Sequence, residues 1–181
     1  MIESNQSYES VGVTMSFSLL PGMITDKLTD LSPELLENHG IRLLMMDFDN
    51  TIVPYTTDIP TAEMEQWLKM MLQSDITICV VSNSRNDRVR IFCGKYGIPV
   101  ITRAKKPRTR GIRQCLAKFG VDPRDAALVG DQIFTDTLGA NNAGVTPILV
   151  KAIDNHNIWL KLRHVAELPF IFAAGKRRIT K

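Results

Sequence analysis

Residues 41–51 read IRLLMMDFDNT, a largely apolar run that ends abruptly in two aspartates, Asp47 and Asp49. A continuous apolar run is typical of a strand that is covered on both faces of a parallel sheet. In open parallel sheets, ligands bind beyond the carboxyl ends of the strands. The stretch therefore predicts a buried strand whose end delivers polar side chains into a binding crevice.

The same pattern recurs along the chain. Further apolar runs lie at 76–81, 98–101, 126–129 and 146–150, and helical patterns lie near 61–73, 86–96, 109–119 and 136–143. Three of these helices have glycines near their ends, and a glycine can adopt the left-handed backbone conformation that ends a helix. These glycines are Gly97, Gly120 and Gly144. Such a repeat predicts an α/β fold with a doubly wound, Rossmann-like parallel sheet and right-handed crossovers.

The ends of the chain differ from this repeat. Residues 1–15 predict a mobile polar leader, and residues 16–181 predict a single domain that ends in a helix from Ile158 and a basic tail. Before the first run, Ser32 and Pro33 are a natural N-cap and first residue of a short helix. No apolar stretch is long enough to span a bilayer and no signal-peptide pattern is present, so we predict a cytoplasmic location.

Composition fits one ordinary globular domain, with 181 residues of which 44% are hydrophobic and 23% charged. The three cysteines are widely spaced, so we expect buried, reduced thiols and neither a disulfide framework nor a zinc site. They are Cys79, Cys93 and Cys115. The net charge of +3 is mild and gives no firm evidence of nucleic-acid binding.

Asp47 and Asp49 are two residues apart at a predicted strand end, so both carboxylates can reach one crevice. One acid can attack phosphorus and form an aspartyl-phosphate, and the other can protonate the leaving oxygen and later deprotonate water. The amides of Asn50 and Thr51 can face the phosphate. The alternative is a turn in which the Asp and Asn side chains bond only to the backbone.

Two later runs are followed by candidates for phosphate binding. Ser82 and Asn83 follow the second run, where a hydroxyl and exposed amides can hold phosphoryl oxygens, although both residue types are also common turn formers. Lys105 and Lys106 follow the third run, and a lysine there can neutralise charge on the nucleophile and the phosphoryl group. A solvated basic loop is the alternative interpretation of these lysines.

The fourth run ends in Gly130 and Asp131, which places another carboxylate at a strand end. Together with Asp47, Asp131 can bind Mg²⁺, a hard cation that takes oxygen ligands. Asp136 follows five residues after Asp131. It is either a helix N-cap or a group that orients the lysine.

The order of these residues resembles the haloacid dehalogenase (HAD) superfamily over roughly residues 41–150. Its DxDxT, Ser/Thr, Lys and GDxxxxD motifs match, in this order, Asp47–Thr51, Ser82, Lys106 and Gly130–Asp136. Lys106 is preferred to Lys105 because the lysine of this superfamily often directly precedes proline. The resemblance implies the sheet order 3-2-1-4-5, with Asp47 and Asp131 on adjacent strands.

The resemblance also implies roles for the motif residues. Asp47 would be the nucleophile and Asp49 the general acid and base; the second acid favours phosphate ester hydrolysis, because a dehalogenase needs no proton donor. Mg²⁺ would be held by the Asp47 and Asp131 carboxylates and the Asp49 backbone carbonyl, with Asp136 in support. Together with the candidates considered above, the groups expected to hold phosphoryl oxygens are Thr51, Ser82, Asn83 and Lys106.

The spacing leaves no room for the cap domain that HAD enzymes often carry. Only 24 residues lie between Thr51 and Ile76, enough for a loop and one helix. Between Ser82 and Lys106 there is room for one helix and one strand. We therefore expect an open site that admits a large substrate or depends on a second subunit of a homo-oligomer to exclude water.

This layout resembles the YqeG-type subfamily IIIA phosphatases, which are related to mitochondrial phosphatidylglycerophosphate phosphatases. Three interpretations stay open: hydrolysis of a soluble phosphomonoester, hydrolysis of a phospholipid headgroup, or a HAD-like module that binds nucleic acid or protein. The lipid alternative depends on the basic tail and a cationic cluster, which could contact an anionic membrane surface. The cluster consists of Arg103, Lys105, Lys106, Arg108, Arg110 and Arg113.

Overall fold

The computed structural model describes residues 18–154, which form an open sheet flanked by helices. The strands are β1 Met23–Thr25, β2 Leu43–Met46, β3 Thr77–Val81, β4 Val100–Ile101, β5 Ala126–Gly130 and β6 Thr146–Val150. All pairs are parallel, and the order across the sheet is β1-β6-β5-β2-β3-β4. Parallel strands joined by helices are the pattern of a doubly wound α/β fold, as predicted.

The predicted strand order is confirmed. The predicted strands correspond to β2 through β6, and numbering those five along the chain gives the order 3-2-1-4-5 across the sheet. β1 is an additional edge strand that lies beside β6, with Ile24 opposite Leu149. The sequence did not predict it, because a strand of three residues is too short to show a period.

The helices lie close to their predicted positions. They are α1 Pro33–Asn38, α2 Ala62–Leu72, α3 Arg88–Tyr96, α4 Arg110–Phe119 and α5 Leu138–Ala143. α1 begins as predicted, since the Ser32 side chain accepts a hydrogen bond from the backbone N–H of Leu35. The segment before α5 differs from the prediction: Ile133–Thr137 forms a π-helix, so α5 begins at residue 138 instead of 136.

The sheet separates two hydrophobic clusters, because successive side chains of a strand face opposite sides. In β2, Leu44 and Met46 belong to one cluster, and Leu43 and Met45 belong to the other. All four are fully buried, which confirms that the first apolar run is a strand covered on both faces. The three cysteines are free and buried, as predicted.

No cap domain is present within residues 18–154. α2 is the one helix between the turn after β2 and the start of β3, and only α3 and β4 lie between Ser82 and Lys106. None of the helices in this part of the chain is long and apolar enough to cross a membrane. The predicted leader at 1–15 and the predicted helix and basic tail after Ile158 lie outside the described residues.

Candidate active site

A cavity of about 210 Å³ lies at the carboxyl edge of the sheet, among the chain segments that follow β2, β3, β4 and β5. This is the point at which a doubly wound sheet reverses direction, where ligands are expected. The cavity therefore combines both predicted acids with predicted phosphate-binding groups. Its lining consists of Asp47, Asp49, Tyr55, Ser82, Asn83, Ser84, Lys106, Gln132 and Thr135.

Lys106 lies between two aspartates. Its Nζ atom is 2.7 Å from Oδ1 of Asp47 and 2.7 Å from Oδ1 of Asp136, and all three residues are buried. Lys105 is exposed, so the structure places Lys106 and not Lys105 at the site. Asp136 lies inside the π-helix, where it pairs with the lysine; it is not a helix N-cap.

The charges of this cluster compensate one another. Burial acts to lower the pKa of Lys106, but the Asp136 and Asp47 carboxylates outweigh it and hold that pKa above its usual range. Burial raises the pKa of Asp136 to about 6, against the opposing charge of Lys106. Lys106 therefore stays protonated and can balance negative charge on Asp47 and on a bound phosphoryl group.

Gly130 allows the Asp136 carboxyl group to lie against the end of β5. A Cβ atom at position 130 would be 2.4 Å from Cγ of Asp136, a separation that any larger residue would have to relieve by displacing the carboxyl group. Oδ2 of Asp136 also accepts a hydrogen bond from the backbone N–H of Gln132 at 3.2 Å. The glycine of the GDxxxxD motif thus has a steric role in holding Asp136 under the lysine.

Asp47, Asp131 and Asp136 form a buried carboxylate group that fits a hard divalent cation. One oxygen from each lies within 4.8 Å of the others, and β2 and β5 are paired neighbours. Both oxygens of Asp136 have partners, Lys106 on Oδ1 and the Gln132 N–H on Oδ2, whereas Lys106 contacts Asp47 through Oδ1. Asp47 and Asp131 are therefore the better candidates for metal ligands. Carboxylate oxygens are ligands that Mg²⁺ prefers, so the residues present fit the predicted ion.

Asp49 lines the same cavity and has the protonation tendency of an acid catalyst. Burial raises the pKa of Asp49, the Arg88 guanidinium lowers it, and the Asp47 carboxylate raises it further, with a net upward shift. Nη1 of Arg88 lies 3.4 Å from Oδ1 of Asp49. A raised pKa favours the protonated carboxyl group that a general acid needs.

Arg88, the first residue of α3, is a site residue that sequence analysis did not identify. Its Nε atom is 2.7 Å from Oδ1 of Asp58, and its guanidinium carbon lies 5.2 Å from the centre of the Phe48 ring. No sequence signal separates Arg88 from the neighbouring Arg85 and Arg90. Four residues that line the cavity were also not identified, namely Tyr55, Ser84, Gln132 and Thr135.

The turn after Asp49 is fixed by its own hydrogen bonds. Asn50 has a positive φ of 61°, and its Nδ2 donates to the carbonyl of Asp154 at 2.6 Å. The backbone N–H of Ile153 donates back to the Asn50 carbonyl at 3.1 Å. Thr51 is buried and lines a neighbouring cavity on the β1–β6 side, so its contact with phosphate stays a prediction.

Ser82 and Asn83 lie at the end of β3. The Ser82 hydroxyl oxygen accepts a hydrogen bond from the backbone N–H of Ser84 at 3.1 Å. The Asn83 side chain accepts from the backbone N–H of Lys106 at 2.7 Å and donates to its carbonyl at 2.9 Å. Asn83 therefore positions the lysine, a role that the sequence did not predict; phosphate contacts of Ser82 and Asn83 stay predictions.

Comparison with known proteins agrees with these motifs. The family described as mitochondrial PGP phosphatase matches residues 2–153, a span that includes every site residue described above. The YqeG protein of Bacillus subtilis (strain 168) is 30% identical over 131 residues, which cover 72% of this chain and 76% of that protein.

Solved structures share the fold. A HAD superfamily (subfamily III A) hydrolase from Legionella pneumophila has a TM-score of 0.52 at 16% identity, covering 80% of this chain and 90% of that one. The cobalt-bound deoxy-D-mannose-octulosonate 8-phosphate phosphatase of Haemophilus influenzae has a TM-score of 0.50 at 14% identity. The match covers 77% of this chain and 92% of that one. The motifs, the fold and the family match together show that this chain belongs to the mitochondrial PGP phosphatase family, as a YqeG-type member of the HAD superfamily.

Proposed function

We propose that this chain hydrolyses phosphomonoesters in a Mg²⁺-dependent reaction that passes through an aspartyl-phosphate on Asp47. The observation that carries the proposal is the 2.7 Å contact between Asp47 and the buried Lys106, in a cavity that Asp49 also lines. A nucleophile, a proton donor with a raised pKa and a positive charge thus meet in one place.

In the first step, a carboxylate oxygen of Asp47 attacks phosphorus and the bond between phosphorus and the ester oxygen breaks. The Asp49 carboxyl group gives its proton to the leaving oxygen, which departs as an alcohol. Lys106 offsets the negative charge that gathers on Asp47 and on the phosphoryl oxygens. Asp136 contacts Lys106 and acts as a positioning residue.

In the second step, water attacks the phosphorus of the aspartyl-phosphate. Asp49, now a carboxylate, takes a proton from this water, and the bond between phosphorus and the Asp47 oxygen breaks. Inorganic phosphate leaves, and Asp47 and Asp49 return to their starting protonation states. The two acids therefore account for all proton transfers of the cycle.

The ligands for Mg²⁺ would be the carboxylates of Asp47 and Asp131 and the backbone carbonyl of Asp49. A bound Mg²⁺ supplies positive charge that stabilises phosphoryl oxygens during transfer. The pairing of Met46 with Val129 supports this assignment, because it aligns β2 and β5 so that both carboxylates follow at the same edge of the sheet.

The family match favours one narrower candidate substrate, phosphatidylglycerophosphate, whose lipid headgroup ends in a phosphomonoester. The lack of a cap domain within residues 18–154 leaves room for a large substrate. Lys106 is buried between two aspartates and cannot take part in a membrane contact, contrary to the predicted cluster. The exposed members of the cationic cluster could contact an anionic membrane surface, namely Arg103, Lys105, Arg108, Arg110 and Arg113. A soluble sugar phosphate or nucleotide is the alternative substrate class.

A panel of phosphate esters, assayed with and without Mg²⁺, tests the proposal. We expect phosphate release only with Mg²⁺, and a loss of at least about a thousandfold in kcat for Asp47→Asn, because this variant lacks the nucleophile. The panel includes aryl phosphates, soluble sugar phosphates and phosphatidylglycerophosphate in vesicles. Preferential turnover of the lipid is the result expected for the narrower candidate.

Asp75→Asn is the matched control, since it neutralises an exposed aspartate that precedes β3 at the opposite edge of the sheet. It is expected to retain activity. An Asp47→Asn variant that retains activity within about tenfold of the wild type would contradict a covalent mechanism. If no ester is hydrolysed while RNA or a protein partner binds tightly, the binding-module alternative is supported instead.

A further inference from the structure

A second cavity, of about 380 Å³, lies beside the catalytic one and is lined by Asn83, Arg85, Arg103 and Lys105. Asn83 lines both cavities, so the two are neighbours at the carboxyl edge of the sheet. The second cavity is larger than the first, and no acidic residue of the described chain contributes to its lining. The hydrolysis proposed above makes no use of it.

The loop after β4 directs alternate side chains to the two cavities. Ala104 and Lys106 are buried, and Lys106 reaches the catalytic cavity. Arg103 and Lys105 are exposed and line the second cavity. Both have left-handed backbone conformations, with φ of 54° and 59°, which are unfavourable for residues other than glycine. One short loop thus supplies cations to both cavities.

Hydrogen bonds tie this loop to the end of β3. The backbone N–H of Arg103 donates to the carbonyl of Ser84 at 3.2 Å. The Asn83 side chain accepts a hydrogen bond from the backbone N–H of Lys106 and donates one to its carbonyl. The wall between the two cavities is therefore built from paired backbone segments. This pairing fixes the spacing of the two cavities and the backbone positions from which Arg103 and Lys106 extend.

The cations of the second cavity carry charge that is not neutralised within residues 18–154. Arg85, Arg103 and Lys105 form no ion pair there, whereas several other exposed cations pair with carboxylates. Those paired cations are Lys27, Arg42, Lys69 and Arg124. Guanidinium and ammonium groups that converge on a cavity attract anions, and the guanidinium fork matches the oxygens of a phosphate.

We propose that the second cavity binds a second phosphate group of the substrate while the phosphomonoester occupies the catalytic cavity. The inference rests on the proposed phosphatase activity and narrows it to esters that carry two phosphates a few bonds apart. A lipid headgroup with a phosphodiester has this chemistry, and so does the same headgroup free in solution. Binding energy from the phosphate that does not react would then favour the correct substrate.

Two soluble esters isolate the contribution of the second phosphate. Glycerol 3-phosphate carries only a monoester, and glycerophosphoglycerophosphate carries a monoester and a diester. The measurement is the ratio of kcat/KM for the second ester to that for the first, taken on one enzyme preparation, so it does not depend on the folded fraction. The variants are Arg103→Gln with Lys105→Gln, and Arg85→Gln. The control is Arg42→Gln with Arg124→Gln, which removes two exposed charges.

The wild type is expected to favour the two-phosphate ester by at least about tenfold, and the Arg103→Gln, Lys105→Gln variant to lower that ratio about tenfold. The control should keep the wild-type ratio. A wild-type ratio near one, or a ratio that the Arg103→Gln, Lys105→Gln variant leaves unchanged, overturns the inference. Phosphatidylglycerophosphate in vesicles is the third ester, and faster turnover than for the deacylated ester identifies the lipid as the source of the second phosphate.

Titration of the Asp47→Asn protein with the two soluble esters repeats the comparison as affinities. If no ester is hydrolysed but the two-phosphate ester binds more tightly, and the preference is lost on Arg103→Gln with Lys105→Gln, the proposed function fails and the second site stands. If the wild type hydrolyses the esters but the Asp47→Asn protein binds both with equal affinity, the proposed function stands and the second site is rejected.

Discussion

Arg88 links Asp49, the proposed proton donor, to the loop that follows it. Besides its contact with Asp49, it donates hydrogen bonds to the carbonyl oxygens of Pro54, Tyr55 and Thr57 at 3.2, 3.1 and 3.1 Å. It therefore holds the loop that carries Tyr55, a residue that lines the catalytic cavity. The same guanidinium lowers the pKa of Asp49 against the effect of burial. One side chain thus sets both the shape of the loop and the acidity of the proposed general acid.

The substitution Arg88→Met should move the alkaline limb of the pH profile of kcat/KM to higher pH for an alkyl phosphate. Arg88 lowers the Asp49 pKa, so its loss raises that pKa, and Asp49 then stays protonated to a higher pH. An alkyl leaving group needs the proton, because an alkoxide leaves poorly without one. Values of kcat/KM measured across the pH range for the wild type and for Arg88→Met give the alkaline limb of each protein for comparison.

An aryl phosphate with a good leaving group is the internal control, since its departure does not depend on the Asp49 proton. Its alkaline limb should not follow the shift. Lys27→Met, which removes an exposed cation paired with Glu63, is the control variant. An alkaline limb for the alkyl ester that stays fixed, or moves to lower pH, in Arg88→Met would show that Arg88 does not act on Asp49 in this way.

At the residue scale, the sequence predicted which side chains after the strands lie together at the carboxyl edge of the sheet, and their catalytic roles stay predictions. Asp47, Asp49 and Lys106 were identified because each follows an apolar run, and the fold brings such positions together. Arg88 and the bidentate role of Asn83 could not be identified in this way. Their contacts depend on how the loops after β2 and β4 fold back, which no local pattern encodes.

At the scale of elements, α4 packs directly on the loop that carries the lysine. A Cβ atom on Gly111 would lie 2.5 Å from Cβ and 2.7 Å from Cα of Ala104, closer than atoms can approach. Only glycine lets the first turn of this helix approach the loop so closely. The position of α4 therefore determines where Lys106 and its exposed neighbours lie.

Gly111→Ala is expected to destabilise the fold by about 1–3 kcal/mol and to lower kcat/KM, because the helix and the loop must move apart. Gly94→Ala is the matched control in α3, where an added Cβ would contact nothing within 4 Å. That change should raise stability by about 0.5–1 kcal/mol. Denaturant unfolding and phosphatase assays on both variants provide the comparison. A Gly111→Ala protein as stable and active as the wild type would rule out this close-packing argument.

Elements with a strong local signal were predicted, and elements that depend on distant contacts were not. The five strands and four main crossover helices were predicted because their apolar runs and glycine stops are strong local signals. β1 gains its pairing only from β6, which lies far away in the sequence. The π-helix at Ile133–Thr137 contains Asp136, whose contact with Lys106 is tertiary and leaves no local sequence signal.

At the scale of the whole molecule, exposed cations that form no ion pair within residues 18–154 lie beside an uncapped site. Arg85, Arg103 and Lys105 surround the second cavity, next to the acids that carry the proposed chemistry. Many HAD enzymes close the site with a cap, but here the described chain leaves the carboxyl edge of the sheet accessible. The approach of an anionic substrate or surface is then governed by exposed charges, which salt screens.

Turnover of phosphatidylglycerophosphate in anionic vesicles should therefore fall by about tenfold or more between about 0.05 and about 0.5 M salt. Turnover of an aryl phosphate should fall less, because its one phosphate binds beside the buried Lys106, whose charge salt screens less. Initial rates at fixed Mg²⁺ across this range of salt provide the measurement. Equal salt dependence for the two substrates would show that the exposed cations do not guide the lipid.

The alternation of side chains along the loop after β4 has a consequence for how its length can vary. Ala104 and Lys106 face inward while Arg103 and Lys105 face outward. Deleting or inserting one residue between β4 and Lys106 would exchange the inward and outward sets, and the buried ammonium group would be replaced by a solvent-facing one. Substitutions at the outward positions 103 and 105 leave Ala104 and Lys106 in place, but a change of length does not, so this loop should tolerate new outward side chains far better than a new residue count.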